Sequence, residues 1–232
     1  MTSIENKTFL AFDTSTEYCS VALLAAGRCR SRTERLGNGH SDVLLPWIDA
    51  LVKEAGIGLK DIDGILFGAG PGSFTGLRIA CGIAQGLGFG LDKKVLGVCT
   101  LDAMAYPYRR EAARIAVLND ARMNECYGAV YETADGLRKI CNEQIVKPEM
   151  AAQWLDEQHV GFVAGTAIGV YPMQIELPCV KTHPEASRMI EWYLADEKAN
   201  ASLWVKSDLA APIYVRNHVA LTIKERREGE KL

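Results

Sequence analysis

Gly68-Ala69-Gly70-Pro71-Gly72-Ser73-Phe74-Thr75-Gly76-Leu77-Arg78 joins an apolar run, Gly64 to Phe67, to a long stretch rich in small residues. The apolar run reads as a strand, and the stretch from about Thr75 to Gly90 as a helix. Glycines at such a junction let the chain turn sharply or let another group approach closely. Ser73 or Thr75 is placed to cap the helix. The junction is either a phosphate cradle or a close-packing device. No Gly-Lys-Ser/Thr follows, so the P-loop pattern is absent. After Gly70-Pro71-Gly72 the third glycine falls at 76 rather than 75, outside the dinucleotide fingerprint.

Upstream, Thr8 to Phe12 is nearly continuously apolar and reads as a buried strand. It ends in Asp13-Thr14-Ser15-Thr16, a carboxylate and three hydroxyls. Such a turn can hold Mg²⁺ and phosphate or simply bond its own backbone. A degenerate phosphate loop would use Asp13, Thr14, Ser15, Gly70, Gly72 and Ser73. Cys19 to Leu24 continues as strand, and Arg28, Arg30, Arg32 and Glu34 mark a charge-guarded edge strand. A first helix is expected from Ser41 or Asp42 to Ala55, with Leu44, Ile48, Leu51 and Val52 at helical spacing. Leu45 and Trp47 widen that stripe beyond one core face, and Pro46 removes an intrahelical donor.

The second helix has two rows of small residues, Gly76-Ala80-Ala84-Gly88 and Gly82-Gly86-Gly90. Each helical glycine costs about 1 kcal/mol relative to alanine, so the rows need a compensating close approach. Ile79, Ile83 and Leu87 add an apolar row. Further on, Lys94 to Val98 reads as a strand and Leu101 to Ala113 as a helix broken at Pro107. Ile115 to Leu118 and Cys126 to Tyr131 read as strands around a polar turn, Asn119 to Arg122. Pro148 to Gln158 reads as a helix, Val160 to Ala164 as a strand, Glu185 to Leu194 as a helix and Pro212 to Val215 as a last strand. The pattern is α/β with mixed sheets. A seam is expected near residues 100 to 110, giving lobes at 1–105 and 106–232, with the tail packing back on the first lobe.

The 232 residues are 48% hydrophobic and carry a net charge of −3, which gives no basic surplus for free-standing nucleic-acid binding. Lys224-Glu225-Arg226-Arg227 reads as a solvated terminus because acids are interleaved. Seven cysteines without a Cys-x-x-Cys pair argue against a disulfide framework or zinc ribbon and for a reducing, cytoplasmic setting. The four histidines, at 40, 159, 183 and 218, have no His-x-x-x-His spacing, so no metal site is expected. His40 is expected at the surface. Asp120, Arg122 and Glu125 suit either an anion or partner contact or a local ion cluster. No nucleophile stands beside a base at legible spacing.

Several strings together resemble the TsaB (YeaZ) family. They are Phe9 to Thr16 with Cys19 to Ala22, His40-Ser41 with Leu44-Leu45-Pro46, and Gly70 to Arg78. Gly97-Val98 before Leu101-Asp102-Ala103, Asp120-Ala121-Arg122 with Glu125 and Tyr127, and Pro212 to Arg216 continue the match. The resemblance implies two ribonuclease-H-like lobes, as in actin, Hsp70 and the sugar kinases. It implies a non-catalytic scaffold and activator in forming N6-threonylcarbamoyladenosine (t6A) at position 37 of tRNA. The expected partners are TsaD, the catalytic paralogue, and TsaE, with TsaC supplying the activated threonylcarbamoyl group. No cofactor is expected to be held tightly by this chain alone; ATP or ADP and metal belong to the partner subunits, and tRNA is met through the complex. Alone, the chain is expected to homodimerise through the same surface. The implied interface uses Leu44, Leu45, Ile48, Val52, Gly76, Arg78, Ile79, Ala80, Gly82, Ile83 and Leu87. The alternative is a free-standing ATP-dependent or peptidase-like enzyme of the actin-like ATPase superfamily.

Overall fold

The computed structural model describes residues 7–216. His218 and the basic segment 224–227 lie outside them. Strands β1 (Phe9–Asp13), β2 (Tyr18–Ala25) and β3 (Arg28–Arg35) form an antiparallel meander. Helix α1 (His40–Ala55) leads to β4 (Gly64–Gly70), α2 (Phe74–Leu91) and β5 (Val95–Cys99), and these two strands add in parallel on the other side of β1. The resulting five-stranded order is β3-β2-β1-β4-β5.

The chain then repeats this plan. After α3 (Thr100–Ala105) come β6 (Arg114–Arg122), β7 (Glu125–Glu132) and β8 (Arg138–Val146), again an antiparallel meander. Helix α4 (Ala151–Glu157), β9 (Phe162–Gly165) and β10 (Cys179–Lys181) follow, with β9 and β10 parallel to β6. The second sheet reads β8-β7-β6-β9-β10, the same topology as the first. Two sheets wound this way are the ribonuclease-H-like, actin-like arrangement.

Apolar alternation on the central strands sends side chains to both faces of each sheet. Leu10, Phe12, Val21 and Leu23 pack with Leu44, Ile48 and Val52 of α1 and Ala80 and Ala84 of α2. Phe9, Ala11 and Leu24 on the opposite face meet Met189, Ile190 and Tyr193 of α5 (Ala186–Ala195). Thus α5 follows the second sheet in sequence and covers the first. Helix α3 lies between the sheets: Ala103 faces the first, while Leu101 and Met104 join Ile115 and Val117 of the second.

Several local expectations change. Helix α3 stops at Ala105, and a 3₁₀ turn at Tyr106–Tyr108 takes up Pro107, so no helix reaches Ala113. Residues 119 to 122 belong to β6; the turn is Met123-Asn124, with positive φ at Arg122, Met123 and Asn124. Pro212 to Val215 form no strand, although the Ile213 N–H donates to the Ala69 carbonyl at 2.7 Å. Strands β8 and β10 come without a sequence signal because both are polar edge strands.

Candidate functional site

The glycine-rich junction and the Asp13 turn close on each other. A Cβ on Gly68 would lie 1.9 Å from Asp13 Oδ2, one on Gly72 2.3 Å from the Ser15 carbonyl oxygen, and one on Gly76 1.8 Å from the Thr14 carbonyl oxygen. Real side chains do not fit there, so these positions require glycine. Hydrogen bonds fasten the contact: Ser73 N–H donates to the Ser15 carbonyl at 2.7 Å, and Thr14 Oγ1 donates to the Gly76 carbonyl at 2.7 Å. Ser73 also caps α2, its Oγ accepting from the Gly76 N–H at 3.3 Å.

Asp13 is buried at the centre of this clasp. Its carboxylate accepts from Ser15 N–H at 2.8 Å, Ser15 Oγ at 2.7 Å and Thr100 Oγ1 at 3.3 Å. Burial pushes the carboxyl above its ordinary range, and those three bonds oppose the shift. The inner part of the expected phosphate loop is therefore occupied by the protein itself. Asp13, Thr14 and Gly70 do not line the cleft beside it, while Ser15, Gly72 and Ser73 do.

That cleft encloses about 760 Å³ between the lobes. Its first wall carries Glu17, Arg35, His40, Ser73 and Thr75; its second carries Asp120, Arg122, Thr166 and Lys181. Asp120 is fixed from three sides. Its N–H donates to Thr166 Oγ1 at 2.9 Å, Tyr171 OH donates to its Oδ1 at 2.6 Å, and Arg122 pairs with it at 3.2 Å. Burial and the neighbouring Asp120 push the Tyr171 hydroxyl up to about 12. Arg216 pairs with Glu125 and donates to the Ala121 carbonyl at 3.3 Å. The expected Asp120–Arg122–Glu125 group is thus a tied ion cluster at the cleft mouth. Tyr171, Thr166 and Lys181 belong to it with no local signal in the sequence.

His40 corrects another expectation. It opens α1 and is 7% exposed, against the cleft wall rather than at the surface. Among the described residues no hydroxyl or thiol is hydrogen-bonded to a histidine. The buried thiols of Cys19 and Cys126 are pushed up to about 12, first by burial and then by nearby carboxylates. Such thiols stay protonated and unreactive at neutral pH.

One cluster of potential ligands, Cys99, Asp102 and Glu143, lies where α3 meets β8. The Lys139 ammonium sits among them, 2.7 Å from Asp102 Oδ1 and bonded to Glu143. Cys99 Sγ donates to Glu143 at 3.0 Å, and Tyr131 OH donates to Asp102 at 2.7 Å. The lysine takes the place a cation would fill, and the group ties the lobes as a buried ion network.

The expected interface residues divide by burial. Leu44, Ile48, Val52, Gly76 and Ala80 are buried in this chain's own core and present no side chain to a partner. The Gly76-Ala80-Ala84-Gly88 row faces inward; a Cβ on Gly88 would lie 2.8 Å from Ser207 and Val95. The other row faces out: Gly82, Gly86 and Gly90 are exposed, with nothing within 4 Å of an added Cβ. Phe89 beside them is 85% exposed and Leu45 on α1 is 48% exposed. Ile79, Ile83 and Leu87 are half-buried. Arg78 is exposed, covers the Phe74 ring at 3.8 Å and donates to Tyr214 OH at 3.3 Å.

The chain matches the family model described as TsaD, tRNA N6-adenosine threonylcarbamoyltransferase, over residues 34–222. It is 37% identical to the tRNA threonylcarbamoyladenosine biosynthesis protein TsaB of Haemophilus influenzae, covering 93% of this chain and 96% of that one. It is 34% identical to the TsaB of Escherichia coli, over 91% and 95% of the two chains. Among solved structures, YeaZ from Pseudomonas aeruginosa superposes with a TM-score of 0.77 at 38% identity, covering 90% of this chain and 99% of that one. Another Pseudomonas aeruginosa structure, of a protein described as similar to peptidase YEAZ, has a TM-score of 0.78 at 38% identity, over 90% and 100% of the chains. With the paired sheet topology, the glycine clasp and this near full-length likeness, the chain belongs to the TsaB (YeaZ) family.

Proposed function

We propose that this chain is the non-catalytic scaffold and activator subunit of the complex that forms N6-threonylcarbamoyladenosine at position 37 of tRNA. It pairs with the catalytic subunit TsaD through the exposed faces of α1 and α2. TsaE joins that complex, and TsaC supplies its activated threonylcarbamoyl group. The nucleotide and metal that drive the reaction are held by the partners, and this chain holds no cofactor tightly by itself. It meets tRNA as part of the assembly and works in the cytoplasm. Without TsaD the same face pairs two copies of the chain.

The observation that carries this reading is the outward row Gly82-Gly86-Gly90 beside Phe89 and Leu45. Helical glycines at exposed positions cost stability that the isolated chain does not recover. Small residues along a helix let a second helix approach closely, and exposed aromatics beside them supply buried area on docking. The names of the relatives place such a surface in t6A biosynthesis. No helix among the described residues is long and apolar enough to cross a membrane.

The test is modification of tRNA in a mixture of TsaC, TsaD, TsaE, threonine, bicarbonate and ATP, with and without this chain. Product that depends on the chain supports the activator role. Product formed equally in its absence refutes it.

The second reading, a peptidase-like or ATP-dependent enzyme, draws on the peptidase likeness attached to one Pseudomonas aeruginosa structure. A buried, hydrogen-bonded Asp13 and thiols with raised pKa give it little chemical support.

A further inference from the structure

We propose that the cleft-facing end of α2, with His40 and Lys181, forms a binding site for the phosphate group of a small phosphomonoester. Three independent observations converge on one place.

The first is the helix end. Helix α2 has 18 residues, and its cap satisfies only the Gly76 N–H. The N–H groups of Phe74 and Thr75 have no acceptor among the described residues, and both residues line the cleft. Free N–H groups at the positive end of a long helix favour an oxyanion.

The second is His40. It lines the same cleft, is 7% exposed, and its Nε2 is buried without a hydrogen-bond partner. Buried polar atoms are normally paired, and leaving one unpaired costs about 1–3 kcal/mol. An acceptor arriving in the cleft removes that cost.

The third is charge. The cleft is lined by four cations, Arg35, Arg122, Lys181 and Arg216, and two carboxylates, Glu17 and Asp120. Three of the cations are already paired, with Glu17, Asp120 and Glu125. Lys181 has no ion pair among the described residues, so the wall keeps a free positive charge.

The space decides the ligand class. About 760 Å³ is far larger than one phosphate ion and falls in the roughly 300–1,000 Å³ range of small-molecule sites. Tyr127, Ile79 and Val170 supply apolar wall for an organic body. The inner loop is closed by the contacts of Gly68, Gly72 and Gly76, so the phosphate stays at the outer end of α2 and does not reach Asp13.

The test uses the full chain alone, so its outcome is separate from that of the tRNA reaction. Inorganic phosphate and AMP are titrated at constant ionic strength, with chloride as control. Amide signals of Phe74 and Thr75 and the ring signals of His40 are followed by NMR. Saturable shifts confined to those groups are expected, with AMP binding more tightly than phosphate. Lys181→Glu, at an exposed position, is expected to weaken binding about tenfold, as loss of a charge-assisted contact does. His40→Phe, which keeps a ring in the wall, is expected to weaken it similarly. Equal shifts with chloride, no advantage of AMP over phosphate, or affinity unchanged in Lys181→Glu would each overturn the proposal.

Discussion

Gly76 of α2 and Thr14 of the β1–β2 turn, far apart in sequence, meet so closely that an added Cβ would stand 1.8 Å from the Thr14 carbonyl oxygen. Both contacting groups are backbone, and the Thr14 hydroxyl holds them together through the Gly76 carbonyl. Neither side can yield without moving a strand end or a helix. Gly76→Ala is therefore expected to cost at least the upper part of the about 1–3 kcal/mol typical of overpacking. Gly82→Ala, on the same helix but open to solvent, is expected to gain about 1 kcal/mol from helix propensity. Urea midpoints of the two variants, measured side by side, check the opposite signs. A neutral Gly76→Ala would mean the clasp is looser than these contacts require.

The outward row makes a second contrast. Gly86 has nothing within 4 Å of an added Cβ, so Gly86→Leu fits the folded chain. The same side chain would hold a docking helix away from α2. Association with TsaD, and self-association of the chain alone, are expected to fall at least tenfold while the melting temperature stays within about 4 °C, the shift that 1 kcal/mol gives in a chain of this size. Sedimentation with and without TsaD reads both. Undiminished association would remove this face from the proposed interface.

Asp13 allows a test of whether the clasp is structural. Burial holds its folded carboxyl above the ordinary value, so the native state favours the protonated form. Between the unfolded and folded pKa values the native state binds more protons than the unfolded one, and stability falls as pH rises. Asp13→Asn is neutral throughout and removes that cost. Its oxygen still accepts from Ser15, and the Thr100 hydroxyl can turn to Ser15 Oγ, 3.1 Å away, while accepting from the new amide. The variant is expected to gain stability relative to the parent chain as pH is raised from 4 to 7. Thermal melts across that range check it; a growing deficit instead would show that the ionised carboxylate is the form the fold is built on.

Much of this molecule is readable in the residues, and the limits are physical. Period-2 and period-3.6 apolar patterns gave β1, β2, α1, α2 and α5, because those elements pack apolar faces on a core. β8 escapes notice because Lys139, Asn142, Glu143 and Gln144 interrupt any alternation on an edge strand. The two small-residue rows of α2 are alike in composition, so sequence shows that both need a close neighbour but not that one faces inward. Which glycine meets which carbonyl depends on β1 and β4 lying side by side, a long-range pairing with no local trace. His40 lies buried for a related reason: the cleft wall that covers it is assembled from both lobes.

The network joining the lobes gives the last prediction. Burial works against the Lys139 ammonium, but Cys99, Asp102 and Glu143 outweigh it and hold its pKa above the ordinary value. Burial likewise works to raise Glu143, yet Lys139 and the Cys99 thiol bring its carboxyl below the ordinary range. A lysine raised on folding stabilises fully below its unfolded pKa and loses that contribution as pH climbs through the folded value. A carboxyl lowered on folding stabilises above its unfolded pKa and loses that contribution as pH drops through the folded value. The pair therefore supports the lobe junction from mildly acidic to mildly alkaline pH and weakens at both extremes. Removing one partner leaves the other buried and uncompensated, so Lys139→Met is expected to cost about 3–5 kcal/mol at pH 7. Lys139→Met with Glu143→Leu removes both charges and is expected to recover much of that loss, with the difference from the parent chain shrinking as acid protonates Glu143. Urea denaturation of both variants from pH 3 to 9 reads the effect. A single variant as stable as the parent at neutral pH would show that the junction is held by the apolar contacts of Leu101 and Met104 alone.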